Sequence, residues 1–151
     1  MGRAYSAAMR RPVVWNGSPS RCFGCSPDNP RGLHVRFFET DDGVEVDYTA
    51  PPDVEGAAGI VHGGVQATLL DEAFCMTVHA KRGHHVLTGE LTVRYRRPVP
   101  TGVALLVRGR IVEERRRSFV VEGGIHLVAT GEELTRGRAH IFVAAGCATP
   151  R

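Results

Sequence analysis

From Gly63 to Arg82 the chain carries no Pro and no Gly after Gly64, and between Gly63 and Val78 its only charges are the neighbours Asp71 and Glu72. Ala, Leu, Met and Phe fill this stretch, which ends Lys81-Arg82-Gly83. Basic residues in a last turn with Gly just beyond it are a helix stop, so the segment predicts one helix of about 28 Å at 1.5 Å per residue. At about 100° per residue, Val65, Ala67, Leu69, Leu70, Ala73, Phe74, Met76 and Val78 cover most of its circumference. A helix this apolar must be wrapped. Only Thr68, Asp71, Glu72 and Cys75 remain as a polar strip. An ionised carboxylate inside such a wrapping costs several kcal/mol unless it is hydrogen-bonded or paired. The plain alternative is that both acids face water along the strip.

The wrapping has to come from strands, because no second helix of comparable length is present. Leu33, Val35 and Phe37 alternate with His34, Arg36 and Phe38, and after Asp41-Asp42-Gly43 the alternation resumes at Val44, Val46 and Tyr48, a hairpin signal. Residues 50–61, with two prolines and two glycines, connect to the helix. Beyond it, four strands follow at Leu87–Tyr95, Val103–Ile111, Phe119–Leu127 and Leu134–Val143. The reading is α+β: an antiparallel sheet of about six strands around one long central helix. Residues 1–21 lack periodicity and read as a loosely ordered lead-in, 22–145 as the domain and 146–151 as a C-terminal tail. Residues 25–32 are dense in turn formers and form a structured loop.

Composition narrows the function. The net charge of +3 rests almost wholly on dispersed arginines, since Lys81 is the only lysine, which argues against nucleic acid but suits a phosphate-bearing small molecule. No apolar run has the length of a membrane span or of a signal peptide, so a cytoplasmic protein without a membrane partner is expected. Met1-Gly2-Arg3-Ala4-Tyr5-Ser6 fits the short myristoylation pattern and carries little weight. Cys22, Cys25, Cys75 and Cys147 are expected as reduced thiols. Cys22 and Cys25 with His34 suggest a metal, but structural zinc takes four ligands and no second Cys pair exists, so no metal and no cofactor is expected.

Gly63 and Gly64 stand where the first N–H groups of the helix lack intrahelical partners and its dipole is positive. Without a Cβ, another molecule can come close. Such an N-terminus suits the oxyanion of acyl transfer, where one donor contributes about 3 kcal/mol; a tight turn would use glycine equally well.

His62-Gly63-Gly64-Val65-Gln66-Ala67-Thr68-Leu69-Leu70-Asp71 resembles the signature of hotdog-fold thioesterases of the phenylacetyl-CoA and human thioesterase-superfamily type. Cys22-Phe23-Gly24-Cys25 with Asn29-Pro30-Arg31-Gly32-Leu33 is similar to the lead-in of one subgroup, and the resemblance spans roughly residues 22–145. It implies an acyl-CoA thioesterase with Asp71 as nucleophile or general base, the Gly63 N–H on the thioester carbonyl, and Thr88 orienting the water or the carboxylate. His62 is a candidate for positioning or for a structural bond at the helix start. Gly64, Glu72, Arg115 and Arg116 are candidate substrate contacts, the arginines toward nucleotide phosphates. The Asn or Gln that some members place before His-Gly-Gly has no counterpart in residues 56–61.

Gly63 and Asp71 are about 12 Å apart along one helix axis, yet oxyanion donor and nucleophile must both lie about 3 Å from one carbonyl. The expectation is a homodimer, or a dimer of dimers, in which each site pairs Gly63 of one subunit with Asp71 and Thr88 of the other. Two rival readings remain: a non-catalytic acyl-CoA-binding hotdog protein, and an enoyl-CoA hydratase-like enzyme using Asp28-Asn29-Pro30 and His34.

Overall fold

The computed structural model describes residues 10–145. The Met1–Ser6 pattern, Cys147 and the tail 146–151 lie outside the described residues.

Helix α1 spans Gly63–Arg82. At its start the His62 ring accepts from the Gly64 N–H through Nδ1 (2.9 Å); at its end Gly83 adopts φ 69°, a left-handed cap that glycine enters without a Cβ clash, and donates to the His79 carbonyl. Leu69, Leu70, Ala73, Phe74 and Val78 are fully buried along it. Around it runs one sheet in the order β1-β2-β3-β5-β6-β7-β4, antiparallel at every pairing. The strands are β1 Arg11–Val13, β2 Phe37–Glu39, β3 Gly43–Thr49, β4 Val86–Tyr95, β5 Ala104–Arg115, β6 Ser118–Leu127 and β7 Glu133–Val143. This is the hotdog architecture: an antiparallel sheet curled on one long helix.

A row of glycines makes the close wrap possible. Gly109, Gly123 and Gly137 are register partners across β5, β6 and β7, and the Phe74 ring sits on them. A Cβ at these positions would meet Phe74 ring carbons at 2.9, 2.9 and 3.0 Å. Fully burying a Phe side chain contributes roughly 1.5–3 kcal/mol, and here it can be buried only because three facing positions are bare.

The seventh strand is β1, formed inside the stretch read from sequence as a loose lead-in; Arg11 pairs with Glu39 and Val13 with Phe37. The hairpin from Leu33 differs too. Val35 and Phe37 point inward as their alternation predicts, but the ladder begins only at Phe37. His34 sits at φ 53°, and the N–H groups of Leu33 and Val35 bond to Phe23 O and Gly24 O, so this segment is tied to the preceding loop.

Candidate active site

Asp71 and Thr88 are brought together by an irregularity in β4. Leu91 and Val93 face inward, and strict alternation backward from them would turn Leu87 inward and Thr88 outward. The ladder between β4 and β7 slips by one residue between Thr88 and Glu90, a bulge at Gly89. A bulge inverts the facing of everything beyond it. Leu87 is therefore 67% exposed, and Thr88 meets the helix. Its hydroxyl donates to Asp71 Oδ1 at 2.5 Å and lies 3.2 Å from Cys75 Sγ. Burial, then the Asp71 charge, pushes the Cys75 thiol up to about 12, so it stays protonated at neutral pH and adds no negative charge beside the carboxylate.

The polar strip is thus neither open to water nor sealed: Thr68, Asp71, Glu72 and Cys75 are all half-buried. Neither Asp71 nor Glu72 forms an ion pair with any described residue. Glu72 instead accepts from the Cys22 thiol at 3.1 Å, and the loop carrying Cys22 and Cys25 covers it. Burial first, then the neighbouring Glu72 and Cys22, push the Cys25 thiol far up. His34, grouped with these cysteines from the sequence, turns away to the Asn29 carbonyl.

At the helix start the two glycines are not equivalent. The Gly64 N–H is used by the His62 ring, while the Gly63 N–H has no acceptor among the described residues. Accepting at Nδ1 leaves His62 with its proton on Nε2 when neutral. A residue that sequence reasoning missed closes this end: the Tyr95 hydroxyl donates to the Gly63 carbonyl at 2.8 Å. Its place at the end of β4, opposite the helix start, follows from pairing and has no local sequence signal. Gln66, inside the signature, is buried, with its amide on Val61 O and its carbonyl accepting from the Thr135 hydroxyl.

Gly63 and Asp71 remain separated along α1 by about 12 Å. Arg115 and Arg116 lie at the exposed tip of the β5–β6 hairpin, which the Arg82–Glu114 ion pair (2.8 Å) fixes at the far end of the helix. That is about 16 Å along the axis from Asp71. Within one chain, then, the structure joins Asp71 to Thr88 and His62 to Gly64, and brings neither Gly63 nor the arginines to Asp71.

A wrapped central helix with a half-buried, hydroxyl-bonded carboxylate on its face and a free N–H at its start is the arrangement of this hotdog protein. Residues 58–143 match the family model of the Thioesterase superfamily, and the chain belongs to that family. Among solved structures it is similar to RHA08564, a thioesterase superfamily protein (27% identity, TM-score 0.73, 82% of this chain and 60% of that one covered). This chain therefore spans less than two thirds of that protein's length. It is also similar to the BH2602 protein from Bacillus halodurans, solved with CoA (31% identity, TM-score 0.66, 76% of each chain covered). Zebra fish thioesterase superfamily member 2 (21% identity, TM-score 0.70, 79% of this chain and 88% of that one) shares the fold.

Proposed function

We propose that this protein hydrolyses an acyl-CoA thioester to a free acid and CoA, with Asp71 supplying or activating the attacking oxygen. The observation that carries the reading is the Thr88–Asp71 hydrogen bond. It occupies one carboxylate oxygen and leaves the other free to attack the carbonyl or to take a proton from water. CoA bound to the BH2602 protein supports the substrate class. No helix among the described residues is long and apolar enough to cross a membrane.

The active unit is a homodimer, alone or paired into a tetramer. β4 is an outer strand of ten residues whose far edge has no partner among the described residues, and Leu87, Tyr95 and the neighbouring Phe142 are exposed beside it. A long exposed edge with apolar side chains calls for a second strand. Pairing two β4 strands about a two-fold would set two helices antiparallel, bringing the free Gly63 N–H of one toward Asp71 of the other. Gly63 then holds the oxyanion, His62 shapes the amide turn, Thr88 aims Asp71, and Arg115 and Arg116 reach for CoA phosphates. Gly64 allows the acyl group to approach, and Glu72 borders it.

Thiol release from a panel of acyl-CoAs tests the reading. Asp71→Asn is expected to lower kcat by about 10²–10⁴-fold, the usual contribution of a positioned acid or base. Label found in Asp71 after a single turnover in H₂¹⁸O identifies direct attack, since water activated by a general base ends only in the product acid. Binding of acyl-CoA without release by the wild type would point to the non-catalytic alternative, and hydration of crotonyl-CoA to a hydratase.

A further inference from the structure

Cys22, Cys25 and Glu72 come from a loop and a helix far apart in sequence, yet one ligand atom of each lies within 4.8 Å of the others. Tetrahedral zinc, with bonds of about 2.3 Å to sulfur and about 2.1 Å to oxygen, sets sulfur and oxygen about 3.6 Å apart and two sulfurs about 3.8 Å apart. Cys22 Sγ and Glu72 Oε1, 3.1 Å apart, would have to part by about 0.5 Å, and the pairs with Cys25 Sγ, within 4.8 Å, would have to close by at most about 1.2 Å to meet that spacing.

The loop is built for this approach. Gly24, buried between the two cysteines, lies so close to Glu72 that a Cβ there would fall 2.2 Å from Glu72 Cγ and 2.8 Å from its Oε1. Bonds from Ser26 N to Cys22 O, Leu33 N to Phe23 O and Val35 N to Gly24 O hold the loop in place before any ligand arrives. Adjacent Asp71 and Glu72 are half-buried with no cationic side chain among the described residues to offset them. A cation bound there would offset that charge. Two sulfurs and one carboxylate oxygen select a thiophilic divalent ion over magnesium or calcium.

We propose that Cys22, Cys25 and Glu72 form a binding site for a zinc-class metal ion, which clips the N-terminal loop onto the central helix next to Asp71. Two thiol protons pass to solvent as two metal–sulfur bonds and one metal–oxygen bond form, and water fills the fourth position. No oxidation is involved. The site stands independently of the thioesterase reading, because metal uptake is measured without substrate.

The test is titration of the phosphine-reduced full chain with Co²⁺. One equivalent is expected to give thiolate charge-transfer and tetrahedral d–d bands, which one equivalent of Zn²⁺ abolishes. Cys22→Ser and Cys25→Ser are expected to lose the bands, Glu72→Gln to shift the d–d bands, and Cys75→Ser to keep them. Alkylation mapped by mass spectrometry needs no variant: Zn²⁺ is expected to protect Cys22 and Cys25. Absence of bands in reduced wild type, bands that survive both cysteine replacements, or equal alkylation with and without Zn²⁺ would each overturn the proposal. So would a protein whose two cysteines only oxidise to a disulfide and take up no metal.

Discussion

The Thr88 hydroxyl donates to Asp71 Oδ1 across the gap between the edge strand and the central helix, at 2.5 Å. A hydrogen bond to a charged group contributes about 1.5–3 kcal/mol, which corresponds to roughly 10–150-fold in rate if it is made in the transition state. Thr88→Val is therefore expected to lower kcat for acyl-CoA hydrolysis within that range. Thr88→Ser, which keeps the hydroxyl, is expected to recover most of it. Equal losses in both variants would show that the methyl group, and not the bond, matters.

Gly63 offers a clean removal of the free N–H. It is the first helical residue, where proline is tolerated, and His62 before it has φ −55° and ψ 137°, the extended geometry that a following proline requires. A Cβ there would meet Tyr95 at 3.3 Å, a contact that a small shift of that exposed ring relieves. Gly63→Pro is expected to melt close to the wild type while losing about 10²–10³-fold in kcat. Full activity in the folded variant would remove Gly63 from the oxyanion role.

The glycine row under Phe74 sets a stability prediction. A Cβ at Gly109 would lie 2.8 Å from Thr77 Oγ1, 2.9 Å from Phe74 and 3.2 Å from Ala73 O, so helix and sheet would have to part. Gly109→Ala is expected to cost about 1–3 kcal/mol, read as a lower urea midpoint at unchanged slope. A neutral or stabilising effect would mean that the sheet relaxes freely there.

Acid should loosen the far end of the helix. His79 is buried, its ring packs tilted against Trp15 (5.0 Å) and His85 (5.6 Å), and burial holds its pKa below the ordinary value. The unfolded chain, titrating near about 6.5, then takes up the proton first, so stability is full above that pH and falls as pH drops toward the folded value. His126, lowered mainly by burial, acts in the same direction. Tm is expected to fall between about pH 7.5 and 5.5, above the carboxylate range, and His79→Gln is expected to reduce that fall. An identical pH dependence in the variant would contradict the assignment.

Much of this was legible before any coordinates. The helix bounds follow from an unbroken apolar run stopped by Lys81-Arg82-Gly83, and the succession of a hairpin before it and four strands after it from alternation on either side. What escaped is what non-local pairing decides. The Gly89 bulge, which turns Thr88 rather than Leu87 to the helix, leaves no trace in a pattern where Leu87 and Leu91 look in phase. The glycines of β5, β6 and β7 read as weak points of strands until Phe74 is seen on them. Glu72 was visible only as a second acid; its bond to Cys22, fifty residues away, needed the fold. Strand β1 is too short for periodicity to reveal.

Whether each site is shared between two subunits is tested by mixing two defective proteins. Asp71→Asn and Gly63→Pro, each inactive alone, are unfolded together and refolded at equal concentration. If Gly63 of one subunit serves Asp71 of the other, each mixed dimer holds one site with both defects and one intact site. Random pairing then restores about a quarter of wild-type activity. If both groups act within one chain, every site in every mixed dimer keeps one defect, and activity stays at the level of the separate variants.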